Sequence, residues 1–132
     1  MSKLIGSGLV ALALGALFFV STSLIAKKEQ VRHIVIFKYK PTATPEQIAQ
    51  VTKALGDLKN TIPGIVSFEH GVNNSPENKN LGFTHVYLLT FEDAAARDTY
   101  LPHAEHKKFG ALLGQLKIVD DVFVVDYSPE SK

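Results

Sequence analysis

Cysteine is absent from all 132 residues, which rules out disulfides and zinc–thiolate sites and leaves the redox compartment open. Charge of one sign is scarce too. Fourteen Lys and Arg stand against thirteen Asp and Glu, and setting aside Lys3, the one charge before Lys27, balances the two. A balanced domain lacks the electrostatic footprint that nucleic acid requires, so no nucleic-acid partner is expected. Internal repeats and low-complexity blocks are missing as well. With 45% hydrophobic and 9% aromatic residues, the chain can build one compact domain and is too short for two.

Between Leu4 and Ala26 there is no charge at all, only a run rich in Leu, Ala, Val and Phe. About 20 apolar residues cross a bilayer and a secretory core takes roughly 7–15, so residues 1–30 read as a signal peptide or a transmembrane anchor with a short linker. Ser21-Thr22-Ser23 offers small residues for cleavage after Ser23, without an Ala-x-Ala site. The full length suits a span, and Ala11 with Gly15 forms a small-xxx-small pair. Lys3 and the amino terminus favour an exported domain, whereas Lys27 and Lys28 oppose one under the positive-inside rule. The expectation is an extracytoplasmic domain, periplasmic or secreted, or one anchored through residues 4–26 if the leader is retained.

The domain opens with the β-branched and aromatic run 31–40, which predicts a central strand with His33, Val35, Phe37 and Tyr39 on one face. Thr44-Pro45-Glu46-Gln47 carries a capping box with proline at the first helical position. Ile48, Val51, Leu55, Leu58 and Ile62 then form one apolar stripe. Pro63-Gly64 stops that helix, 65–72 reads as a second strand, and 73–80 as a polar loop. Residues 83–91 predict a third strand without alternation, so both faces are expected to be covered. A helix from Glu92-Asp93 to Tyr100, a short helix to Leu116 and a strand over 118–127 complete the domain.

This order predicts an α+β, ferredoxin-like βαββαβ fold, a four-stranded antiparallel sheet with helices on one face. Ile34, Ile36, Val86, Leu88, Phe123 and Val125 would point away from the helices. Such an apolar surface is larger than a monomer tolerates, so a homodimer through the sheet face is expected.

Tyr100, His103 and His106 fall within seven residues, interrupted by Pro102, which must break the arriving helix. His33 and His85 lie inside strands. An imidazole with a reference pKa of about 6.5 and a phenol near 10 suit removal of a proton next to a carbonyl, with the phenol as partner of the developing oxyanion. No cofactor is needed. Against this, a lone buried histidine is more often a hydrogen-bonded core group, which applies to His33 and His85. His103 beside the break reads as a cap and His70 as exposed. His103 and His106 at i and i+3 lack a completing carboxylate motif, so no metal is expected.

Taken in order, Val31-Arg32-His33-Ile34-Val35-Ile36-Phe37-Lys38, Pro63-Gly64, Thr84-His85, the 100–110 stretch and Phe123-Val124-Val125-Asp126-Tyr127 resemble the stress-responsive A/B barrel (Dabb) domain family. The resemblance spans 31–128, leaving 129–132 as a tail. It implies a dimeric α/β barrel, in a family with stress-induced plant proteins and plant polyketide cyclases of the olivetolic acid cyclase type. It further implies Tyr100 and His106 as the catalytic pair and His33 and His85 as pocket histidines. The apolar lining it implies is Val35, Phe37, Val51, Leu55, Tyr87, Leu89, Val122 and Val124. Val51 and Leu55 replace aromatic groups of the cyclase, which alters the pocket shape. The expected function is binding of a small apolar carbonyl compound, with cofactor-free cyclase or lyase chemistry. A non-catalytic stress-response or ligand-binding barrel is one alternative, and an antibiotic-biosynthesis-type monooxygenase or haem-binding barrel another. The third strand faintly echoes an RNA-binding RRM signature, which balanced charge and the leader argue against.

Overall fold

The computed structural model describes residues 28–130. The expected leader or anchor lies outside the described residues, and within them no helix is long and apolar enough to cross a membrane. The elements are β1 (Val31–Tyr39), α1 (Pro45–Thr61), β2 (Ile65–Val72), β3 (His85–Phe91), α2 (Ala94–Tyr100), α3 (Ala104–Leu116) and β4 (Val119–Tyr127). The strands form one antiparallel sheet in the order β2-β3-β1-β4, the ferredoxin-like arrangement expected from the element order.

Local chemistry sets the boundaries. Thr44 accepts from the Gln47 N–H at 3.3 Å while the Gln47 side chain accepts from the Thr44 N–H at 3.0 Å, which closes the capping box at the start of α1. Gly64 turns the chain at φ +91°, and a Cβ there would stand 2.6 Å from the Ala96 Cβ, so both backbone and space demand glycine. β3 starts two residues later than its sequence suggests. Leu81 and Gly82 adopt left-handed φ angles of 52° and 86°, and the Phe83 N–H turns back to the Asn80 carbonyl at 2.8 Å. Lys117, at φ 53°, ends α3 in the same left-handed manner, so β4 begins at Val119.

Register places the helix-side residues in rows across β2, β3, β1 and β4. One row reads Phe68, Leu89, His33, Asp126; the next His70, Tyr87, Val35, Val124; the third Val72, His85, Phe37, Val122. Val51, Leu55, Leu58 and Ile62 are buried on the middle of this face, each stabilising the packing by roughly 1.5–3 kcal/mol. α1 thereby divides the helix side into two flanks. On the opposite side Ile34, Ile36, Val86 and Leu88 are half-buried, and Phe123 and Val125 are 52% and 41% exposed. Nothing among the described residues covers this face, so within one protomer β3 is covered on the helix side.

Candidate active site

The site is built at the interruption between α2 and α3. Asp93 caps α2 by accepting from the Ala96 N–H at 2.8 Å, and the helix runs only to Tyr100 because Pro102 cannot continue it. His103 starts α3 as its N-cap, its Nδ1 accepting from the Glu105 N–H at 3.1 Å. That leaves His106 as the imidazole available from this stretch. Its Nδ1 lies 2.9 Å from the Leu101 carbonyl oxygen. A carbonyl can only accept, so Nδ1 carries the hydrogen and, in the neutral ring, Nε2 keeps a free lone pair. The ring packs against Tyr100 with centroids 4.3 Å apart.

A second imidazole approaches the same phenol from the sheet. His33 is 5% exposed, and its ring meets Tyr100 edge-on at 5.8 Å. Its Nδ1 donates to Asp126 Oδ1 at 2.6 Å, and the other carboxylate oxygen accepts from Arg97. Every buried side-chain nitrogen and oxygen among the described residues has a partner. His33 Nε2 makes no such bond and is therefore not fully sealed, and the residue lines an adjoining space.

That space is an apolar hollow of about 250 Å³ between β1, β4 and the three helices. Val35, Phe37, Leu55, Phe109, Val122 and Val124 are among its walls, and His33, Tyr100 and His106 supply its polar groups. Tyr100 itself is 1% exposed. Its hydroxyl has no hydrogen-bond partner among the described residues, and by the same reasoning it opens onto the hollow. Burial pushes the phenol well above its ordinary value, so the group stays a neutral O–H donor.

Four residues expected in the pocket lie elsewhere. His85 shares the helix-side face but sits opposite Phe37, whereas His33 sits opposite Leu89. The two are four residues apart along the sheet, roughly 13 Å, and α1 stands between the flanks. His85 instead lines a broad groove of about 880 Å³ between α1 and β2, beside Phe68 and His70. Burial holds its imidazole below the ordinary value. Val51 and Leu89 are sealed in the core, because Val51 lies on the face of α1 that packs against the sheet and Leu89 lies on the strand beneath it. Tyr87 is equally buried, with its hydroxyl bonded to Tyr39 at 3.1 Å and Thr52 at 2.8 Å. His70 is exposed and stacks on Phe68. Among the described residues no three His, Asp or Glu side chains are grouped as metal ligands.

Reading the sequence alone passed over two residues. Asp126 and Arg97 hold His33 from behind, yet neither lies near it in sequence. The signal for Asp126 was parity: it continues the alternation of Val122 and Val124, and antiparallel pairing of β1 with β4 sets it opposite His33.

A family model of the stress responsive A/B barrel domain matches residues 31–129. The chain belongs to the stress responsive A/B barrel (Dabb) family. Dabb relatives include the stress-response A/B barrel domain-containing protein HS1 of Arabidopsis thaliana, 35% identical over 79% of this chain and 94% of that protein. Olivetolic acid cyclase of Cannabis sativa is 28% identical over 75% and 96%. Among solved structures, the Arabidopsis thaliana protein At3g17210 superposes with a TM-score of 0.72 at 33% identity, covering 77% of this chain and 97% of that one. Hydroxynitrile lyase from Passiflora edulis gives 0.71 at 27% identity over 79% and 96%. A dimeric ferredoxin-like protein of unknown function from Jannaschia sp. CCS1 gives 0.63 at 29% identity over 74% and 97%. The Dabb domain is thus a scaffold that carries a cyclase and a lyase among its similar proteins.

Proposed function

We propose that this Dabb protein takes a small apolar carbonyl compound into the hollow beside Tyr100 and moves a proton next to its carbonyl group. The single observation that carries this reading is a phenol O–H on an otherwise buried ring that has no protein partner and opens onto the hollow, flanked by two imidazoles whose Nδ1 atoms are already committed. His106 Nε2 accepts the proton from the carbon beside the carbonyl, and the Tyr100 O–H donates a hydrogen bond to the enolate oxygen that forms. The enolate carbon then attacks a second carbonyl of the same molecule, closing a ring, and His106 returns the proton to the new alkoxide. His33 contributes a further polar contact, and no cofactor takes part. Similarity to a cyclase and to a lyase supports the class of chemistry, because breaking a carbon–carbon bond next to a hydroxyl needs the same base and the same oxygen partner in reverse.

Mass spectrometry of ligand co-purified with the full chain, followed by turnover assays on that compound, tests the proposal. Tyr100→Phe and His106→Ala are expected to keep binding and lose turnover by about 10²-fold or more. Binding without turnover in the wild-type chain would leave a non-catalytic carrier, and absence of binding would reject the site.

The open apolar face supports a homodimer in which two sheets close a barrel, as does similarity to a dimeric ferredoxin-like protein. Sedimentation of the full chain in mild detergent checks this, with Phe123→Asp expected to shift it toward monomer and an unchanged monomeric wild type refuting it. The uncharged run of residues 4–26 supports an exported or anchored domain. A reporter active only outside the cytoplasm, fused after Lys132, should be active, and silence would refute export.

A further inference from the structure

We propose that Arg97 is a positioning residue of the hollow, fixing the His33 ring through Asp126 and tying the helix that carries Tyr100 to the strands that carry His33. The inference rests on reading the hollow as a site, though its test needs no ligand. α2 is seven residues long and buries one side chain, Tyr100, so packing alone holds it weakly. Arg97 lies one turn before Tyr100, at i and i+3, on the same side of that helix. Its guanidinium reaches Asp126 on β4, while its Nε donates to Asp98 at 2.7 Å, which orients the fork from behind. Among the described residues β4 is an edge strand paired only with β1. The bond from Asp126 to His33 Nδ1 at 2.6 Å then closes a bridge from α2 through β4 to β1.

The bridge matters because Asp126 is not locked by burial. Its side chain is 23% exposed, so without Arg97 one carboxylate oxygen turns to water and the group can rotate. His33 would then lose the fixed acceptor that holds Nδ1–H away from the hollow and Nε2 toward it. Lysine cannot replace the arginine fully, since an ammonium is a point charge without the planar fork that serves Asp126 and Asp98 together.

The experiment is proton-detected NMR of the full chain in mild detergent with ring-labelled histidine, following the His33 Nδ1–H signal, which is identified by its loss in His33→Gln. The wild type is expected to show a far-downfield, slowly exchanging proton. Asp126→Asn should displace it most. Arg97→Gln should move it upfield and speed its exchange about tenfold, the equivalent of losing one charge-assisted hydrogen bond, while backbone amides elsewhere stay put. Arg97→Lys should fall between Gln and wild type. A signal in Arg97→Gln that matches wild type in position and exchange overturns the proposal and leaves Asp126 acting alone. If the Gln variant does not fold, an Arg97→Lys signal identical to wild type overturns it instead. Failure to find a ligand would reject the proposed chemistry without altering this result.

Discussion

Removing one oxygen atom from each of two tyrosines separates a structural hydroxyl from a functional one. Tyr87 and Tyr100 are both 1% exposed, so Tyr→Phe leaves the packing of each ring intact and deletes only the O–H. At Tyr87 the deletion breaks bonds of 3.1 Å to Tyr39 and 2.8 Å to Thr52. At about 1 kcal/mol net per bond, with both partners losing a mate, Tyr87→Phe should destabilise by roughly 1–2 kcal/mol. For a domain of this size that lowers Tm by roughly 5–15 °C. Tyr100→Phe breaks no protein hydrogen bond among the described residues. Its stability should lie within about 0.5 kcal/mol of wild type, or slightly above. Thermal and urea unfolding of the full chain, followed by circular dichroism, measures both. If Tyr100→Phe lost more than about 1 kcal/mol, its hydroxyl would be satisfied within the fold. The phenol would then not be free to bind a ligand, and the proposed chemistry would fail with it.

Other expectations follow from the same geometry. Asp126→Ala strands the buried Nδ1–H of His33 and should cost about 2 kcal/mol in urea unfolding, with a loss under 0.5 kcal/mol counting against the bridge. Gly64→Ala forces a Cβ into Ala96 at a positive φ and should cost at least about 1–3 kcal/mol, since neither strain nor contact can relax without moving α2. Burial raises the phenol of Tyr100 above its unfolded value of about 10. The unfolded chain therefore ionises first, so the stability it contributes is intact below about pH 10 and is lost as pH climbs past it. Unfolding free energy measured between about pH 8 and 11 should fall less steeply in Tyr100→Phe than in wild type, and parallel curves would contradict the burial argument. His85 is shifted the other way, its folded pKa lying below about 6.5. The neutral form is favoured in the fold, so stability should drop as acidification protonates the unfolded chain, a slope that His85→Asn should remove.

How much of this could be read from sequence depends on whether the cause was local. The capping box at Thr44, the stop at Pro63-Gly64 and the break at Pro102 are chemistry within a few residues, and the strand and helix order follows from them. The β3 and β4 strands start one or two residues later than the side-chain pattern implies, because Leu81 and Lys117 take left-handed conformations that no side-chain pattern announces. The resemblance and the alternation of β1 brought His33, Tyr100 and His106 toward one place. What neither could convey is that α1 occupies the middle of the sheet. That placement seals Val51, Tyr87 and Leu89 and puts His85 on the other flank. Arg97 and Asp126, 29 residues apart, become visible only once α2 is laid against β4.

The central helix also sets a limit on guests. It bars passage from the hollow to the wide trough along β2, so a molecule too long for the hollow cannot borrow room from its neighbour. It can lengthen only outward, and two wall residues at the rim are Val122 and Val124, which are 40% and 51% exposed. Those two valines form one threshold over which an alkyl tail can trail, and bulk added there would narrow that way out.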